Sequence, residues 1–214
     1  MATSLNEIGL KYGTDKATTH FYMDNYERYF HEWRLKKFVM WEIGVGNGSS
    51  IKTWREYFVN AEVFGIDNNP DCAAEGIFIG DQKDEKFLAE VMQQTGVPSL
   101  VVEDGSHYGP TTIATFKWLF PRIKEGGIMA IEDAHCFYDQ TYGCAPPFGQ
   151  GMSEVFNFFS SLASHVDVMG RGYTGDTKYA LELKNPNFAP VPEYSPYLDS
   201  MHIHPSLWFF QRKK

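Results

Sequence analysis

The chain has 214 residues, 43% of them hydrophobic and 16% aromatic, which suits one α/β domain with a full core and excludes extended disorder. Its formal net charge is −8, from 19 basic and 27 acidic side chains, so it lacks the basic field that a general nucleic-acid or anionic-membrane binder needs. Three cysteines, Cys72, Cys136 and Cys144, show no C-x-x-C spacing and argue against a disulfide framework or a zinc knuckle; Cys136 reads as a small core residue.

Residues 1–37 are polar and aromatic. Residues 6–12 suit a short helix stopped by Gly13, and Gly13-Thr14-Asp15-Lys16 reads as a turn, with His20 after it. Phe21, Tyr22, Tyr26, Tyr29, Phe30 and Trp33 recur close to helical spacing. They suit either a helix packed with its aromatic face inward or a lid whose aromatics line a pocket. Residues 38–43 form an almost unbroken apolar run, as in a strand buried on both faces. A glycine-rich turn follows, then a helix with Ile51, Trp54 and Phe58 on one face.

The next strand is 62–66, closed by Asp67, and 77–79 is a third, ended by Gly80-Asp81. Asp84 suits the N-cap of a helix carrying Phe87, Leu88 and Val91. Residues 99–102 make a fourth strand; Gly109-Pro110 then opens a helix with Ile113, Phe116 and Phe120 inward. Gly126-Gly127 turns into a fifth strand, 128–131. The glycine- and proline-rich stretch 141–151 reads as a loop, and Met152, Val155, Phe156, Phe159 and Leu162 mark another amphipathic helix. After an apolar run at 179–183, the segments 201–204 and 207–210 flank Pro205-Ser206 as an antiparallel hairpin. Strands alternating with helices predict a parallel sheet with helices on both faces. One domain over 1–214 is expected, with 1–37 as a helical lid or cap. The N-terminus has no charged-then-apolar leader and no apolar run nears the ~20 residues of a membrane span, so a soluble cytosolic protein is expected.

Two of the strands end in acids. Asp104 and His107 share the turn Glu103-Asp104-Gly105-Ser106-His107, and Glu132-Asp133 closes the fifth strand. If those strands are neighbours, three carboxylates and an imidazole meet at one sheet edge. Carboxylate oxygens suit a hard cation such as Mg²⁺, and the absence of Cys/His spacing disfavours zinc. The plainer reading is that such acids cap helices or satisfy backbone N–H groups. His107 has the chemistry to take a hydroxyl proton, which a metal on that hydroxyl would loosen. His135 is the alternative base or ligand.

Glu42-Ile43-Gly44-Val45-Gly46-Asn47-Gly48 has the glycine spacing of a nucleotide-binding turn, in which backbone approaches a ligand and the next helix offers free N–H groups. Asp67 ends the next strand 19 residues after Gly48, where an acid can accept ribose hydroxyls, and Asp81 is placed to meet an adenine amino group.

Gly13-Thr14-Asp15-Lys16, Glu42-Ile43-Gly44-Val45-Gly46, Gly80-Asp81-Gln82, Glu103-Asp104-Gly105-Ser106-His107 and Ile131-Glu132-Asp133, in this order, resemble the metal-dependent sugar O-methyltransferases of macrolide biosynthesis. The resemblance covers roughly residues 5–213, terminal hairpin included. It implies a Rossmann-like class I methyltransferase fold and an O-methyltransferase that uses S-adenosylmethionine and Mg²⁺. Asp104, Glu132 and Asp133 match the metal ligands and His107 the general base. Glu42, Gly44, Gly46, Asp67, Asp81 and Asp104 fall at the cofactor.

Two departures stand out. The family's usual Asp-Asp is Glu103-Asp104 here, and its oligomer-building N-terminal domain is not expected in this chain. Residues 137–151, where acceptors would be selected, carry no assignable pattern. The expected acceptor is one hydroxyl of a vicinal diol on a small molecule, a sugar or a catechol; homo-oligomer formation is left open. An NAD-type oxidoreductase is the first rival, opposed by Glu42 and the metal-like acids. A non-catalytic cofactor-binding module is the second, opposed by the set Asp104, His107, Glu132 and Asp133.

Overall fold

The computed structural model describes residues 3–142, 153–170, 194 and 196–214. Helix α1, Leu5–Tyr12, opens on a reciprocal capping box between Ser4 and Glu7 and stops at Gly13, whose φ of 69° needs no Cβ. The next residues are not the simple turn that their composition suggests. Asp15–Thr18 forms a one-turn helix, α2, which carries Lys16 inward. Helix α3, Met23–Phe30, then buries Met23, Tyr26 and Phe30. The Tyr26 ring lies 5.1 Å from Trp54 and 5.5 Å from Phe209, so α3 is packed into the core.

The remaining elements are strand β1 (Val39–Ile43), helix α4 (Ser49–Tyr57), strands β2 (Glu62–Asp67) and β3 (Ile77–Ile79), helix α5 (Glu85–Thr95), strand β4 (Leu100–Glu103), helix α6 (Gly109–Leu119), strand β5 (Ile128–Ile131), helix α7 (Glu154–Gly170) and strands β6 (Leu198–His204) and β7 (Leu207–Arg212). They build a sheet in the order β3-β2-β1-β4-β5-β7-β6. The pairings β1–β2, β1–β4, β2–β3 and β4–β5 are parallel, and β7 runs antiparallel to both β5 and β6. This is the expected parallel sheet closed by an antiparallel hairpin. As expected, Asp84 caps α5 by accepting from the Lys86 and Phe87 amides.

Both sheet faces are dry, because alternate residues of each strand point to opposite sides. Trp41, Val101, Met129 and Phe210 pack on the side of α5, α6 and α7, with Phe116 and Phe159. Met40, Val102, Ala130 and Phe209 pack on the side of α1, α3 and α4, with Tyr26 and Trp54. Burying each such large side chain contributes roughly 1.5–3 kcal/mol. Cys136 is buried, as expected of a small core residue. Among the described residues, no helix is long and apolar enough to cross a membrane. The apolar run 179–183 and most of the loop 137–151 lie outside the described residues.

Candidate active site

The site follows from the order of three strands. Ile43, Glu103 and Ile131 stand in register across β1, β4 and β5. The ladder runs one residue further, with Asp104 N donating to Ile43 O (2.8 Å) and Glu132 N to Glu103 O (2.9 Å). Gly44, Asp104 and Glu132 therefore leave the sheet side by side. The switch in strand order falls between β1 and β4, where doubly wound sheets open a crevice. The chain turns sharply there: φ is 88° at Gly44, 52° at His107 and 53° at Asp133. A Cβ on Gly44 would run into the Asp104 carbonyl, so only glycine fits that approach.

On one side lie the residues of the glycine turn. Asp67 Oδ2 accepts from the amides of Val45 (2.7 Å) and Gly46 (3.2 Å), and its Oδ1 accepts from Asn69 N (2.8 Å). Burial pushes this carboxyl up, but the three backbone donors outweigh it and hold it below the usual range. Asp67 thus ties the turn together while facing the cleft. A cavity of about 220 Å³ includes Gly44, Asp67, Gly80, Asp81 and Gly105, and a second of about 400 Å³ includes Lys16, Gly44, Gly46, Asp67, Asp104, Gly105, His107 and Asp133. They share Gly44, Asp67 and Gly105, so the two cavities adjoin. Asp81 is on the rim, its side chain 55% exposed, and accepts from Lys83 N. Glu42 is fully buried below the turn, accepting from Ser50 Oγ at 2.8 Å, with Oε1 3.5 Å from Lys16 Nζ.

Burial drives Glu42 up to about 7, against the pull of Lys16 and Ser50. A carboxyl whose folded pKa is raised contributes stability below its unfolded pKa, and loses it as pH climbs through about 7. Glu42→Gln is therefore expected to be relatively more stable than the parent at pH 8 than at pH 5, by on the order of 3 kcal/mol. Melting curves of both proteins at the two pH values check this, and parallel pH profiles would contradict it.

On the other side lie the acids. His107 Nε2 stands 3.5 Å from Asp133 Oδ2 and 3.9 Å from Asp104 Oδ1. One potential ligand atom from each of these residues lies within 4.8 Å of the other two. Magnesium holds ligands at about 2.1 Å, so donors around it stand roughly 3–4.2 Å apart, and small side-chain adjustments suffice. The donors are mainly hard oxygens in a cluster richer in carboxylates than in cations, so the residues fit a hard divalent ion.

Glu132 is buried, and each of its oxygens accepts one hydrogen bond: Lys16 Nζ donates to Oε2 (2.9 Å) and Tyr26 Oη to Oε1 (2.6 Å). Burial, and after it the Asp104 charge, push Glu132 up. Lys16 also donates to Asp104 Oδ2. Burial disfavours its charge, yet Glu132, Asp104 and Glu42 outweigh that and keep the ammonium protonated. Tyr22 Oη donates to Asp133 Oδ1 (2.7 Å), which also lies 3.4 Å from His20 Nδ1. His135 is exposed, with Nδ1 on Ser206 Oγ at 2.5 Å and 3.9 Å from Asp133 Oδ1.

The expected residues thus sort by place. Asp104, His107 and Asp133 converge, Glu132 lies behind them against Lys16, and Asp81 is the outlier at the rim. Lys16, His20, Tyr22, Tyr26 and Gln82 are the contributors that residue patterns do not assign. Gln82 donates to Glu103 Oε1 (2.7 Å) and Thr115 Oγ1 (3.0 Å), so the Glu103 of the altered motif is a tethered, buried acid. Burial pushes Glu103 up as well.

No protein-family model matches the chain. In sequence it is 31% identical over 151 residues to demethylmacrocin O-methyltransferase of Streptomyces fradiae, covering 65% of this chain and 38% of that one. It is 30% identical over 151 residues to mycinamicin VI 2''-O-methyltransferase of Micromonospora griseorubida, again covering 65% and 38%. In fold it is similar to the MycE methyltransferase from the mycinamycin biosynthetic pathway, solved in complex with Mg, SAH and mycinamycin VI. The TM-score is 0.79 at 24% identity, covering 99% of this chain and 54% of that one. The chain spans about two fifths of the length of these two curated relatives and about half of the solved one.

Proposed function

We propose that this chain, Rossmann-like class I methyltransferase in fold and a sequence relative of antibiotic-sugar O-methyltransferases, moves a methyl group from S-adenosylmethionine to a hydroxyl of a small-molecule acceptor. The preferred acceptor is one hydroxyl of a vicinal diol on a sugar. The observation that carries the reading is the junction of the two cavities at Gly44, Asp67 and Gly105, with Asp104, His107 and Asp133 lining the larger one. That junction sets the glycine turn directly beside a cluster of acids and an imidazole.

At the smaller cavity Asp67 would accept from the donor's ribose and Asp81 from its base. Gly44 and Gly46 would let the backbone approach the amino-acid end, above the buried Glu42. Asp104, Glu132 and Asp133 would hold the divalent cation, as the sequence resemblance implies, with His107 alongside. When bound, that cation supplies Lewis acidity that lowers an acceptor hydroxyl's pKa and orients a diol. His107 takes the hydroxyl proton, with Asp133 Oδ2 3.5 Å from its Nε2. The new O–C bond forms as the donor's S–C bond breaks, and the products are a methyl ether and S-adenosylhomocysteine. Donor and acceptor are small and diffusible, so the reading includes a cytosolic enzyme that requires neither nucleic acid nor membrane.

Calorimetry with S-adenosylmethionine tests the donor site. Asp67→Ala removes a charged acceptor and unties the glycine turn, so binding is expected to weaken by roughly tenfold to hundredfold. Unchanged affinity would remove Asp67 from the site. A thermal-shift comparison of S-adenosylhomocysteine with NAD(H) separates methyl transfer from hydride transfer, because only one of them should stabilise the fold.

A further inference from the structure

We propose that the N-terminal segment 14–26 belongs to the reaction centre. Lys16, Tyr22 and Tyr26 act there as positioning residues that aim its three carboxylates. The inference rests on the metal-assisted reading above and goes beyond it by assigning work to residues to which that reading gives no role.

The assignment comes from which oxygen each side chain holds. Lys16 takes Asp104 Oδ2 and leaves Oδ1 turned to His107, 3.9 Å away. Tyr22 takes Asp133 Oδ1 and leaves Oδ2 turned to His107, 3.5 Å away. Lys16 and Tyr26 between them hold both oxygens of Glu132. Each of the three acids is therefore pinned through at least one oxygen, and for the two that line the cavity the other faces the imidazole. A carboxylate free to rotate would offer either oxygen, or both, and would lose the fixed spacing that a small octahedral ion demands.

Packing alone does not call for these side chains. Tyr22 and Tyr26 have almost wholly buried rings, for which phenylalanine would serve equally well in apolar contact. Their hydroxyls end on two consecutive acids, Asp133 and Glu132. The spacing i, i+4 brings both to one side of the segment. A lysine that is 1% exposed is costly to bury, and its ammonium sits among Glu42, Asp104 and Glu132.

The test measures Mg²⁺ binding by calorimetry on the whole chain, with S-adenosylhomocysteine binding and thermal melting alongside. Tyr22→Phe is expected to weaken Mg²⁺ about tenfold or more, the usual effect of losing a group that orients a metal ligand, while S-adenosylhomocysteine affinity in metal-free buffer stays at the parent value. Tyr12→Phe is the control: it removes a similar bond, to Glu56 Oε2 at 2.6 Å, away from the site, and should alter neither affinity. Parent-like Mg²⁺ affinity in Tyr22→Phe overturns this proposal alone. Equal losses in Tyr22→Phe and Tyr12→Phe, or loss of cooperative melting in Tyr22→Phe, also overturn it by marking a merely structural role. Parent protein that binds no Mg²⁺ overturns both this proposal and the metal-assisted reading.

Discussion

His107→Asn is expected to lower the proposed methyl transfer by about 10²–10⁴-fold while donor binding and melting temperature stay near the parent values. Asparagine is the informative replacement because of the backbone. His107 sits at φ 52°, a left-handed conformation that asparagine tolerates better than most residues. The substitution therefore removes the imidazole with little added strain. What is lost is the imidazole that stands 3.5 and 3.9 Å from Asp133 and Asp104. Steady-state rates with a diol acceptor, beside calorimetry with S-adenosylhomocysteine, separate the two effects. A fall of less than about threefold in turnover would remove His107 as the base and move attention to His20, which lies 3.4 Å from Asp133.

Lys16→Met is expected to cost about 3–5 kcal/mol of folding stability, the usual result of removing one partner from a buried charge cluster. For a domain of this size that is a fall in melting temperature of roughly 10 °C. The penalty comes from the acids left behind. Glu42 and Glu132 are fully buried, and Lys16 is the ammonium that faces both of them and Asp104. The methionine chain keeps the volume, so lost packing contributes little. Combining Lys16→Met with Glu132→Gln should recover a good part of the loss, because one orphaned charge is gone. If the double variant is no more stable than the single one, the cost lies in packing and the electrostatic account fails.

These two residues differ in how far the sequence announced them. His107 stands three residues after a strand-ending acid, in a polar turn that reads as a candidate site. Lys16 stands in a tetrapeptide that reads as a surface turn, and lysine is among the side chains least often buried. Its partners Asp104 and Glu132 lie 88 and 116 residues away. Beyond the family resemblance of that tetrapeptide, nothing local distinguishes it from an exposed lysine. Tyr22 and Tyr26 are a similar case. Their helical spacing correctly predicts a face packed inward, but periodicity reports the ring and says nothing about where the hydroxyl ends. The strands, the Asp84 cap and the hairpin were legible because each depends on residues close in sequence. Asp84 reaches amides two and three residues on, and Pro205-Ser206 leaves little choice but a turn.

The sequence by itself determined that alternating strands and helices would make a parallel sheet closed by a hairpin. It also determined that a glycine turn and two acidic strand ends would lie at its carboxyl edge. Those features are written in short apolar runs, in helical spacing, and in residues whose backbone freedom is intrinsic. The tertiary structure decided that β1, β4 and β5 are neighbours in register, which sets Gly44, Asp104 and Glu132 side by side. It also decided that an N-terminal lysine and two tyrosines close on those acids from the opposite layer. Which strands adjoin, and which charge is buried against which, depends on the lowest free energy of the whole packed chain, so it could not be read from any single segment.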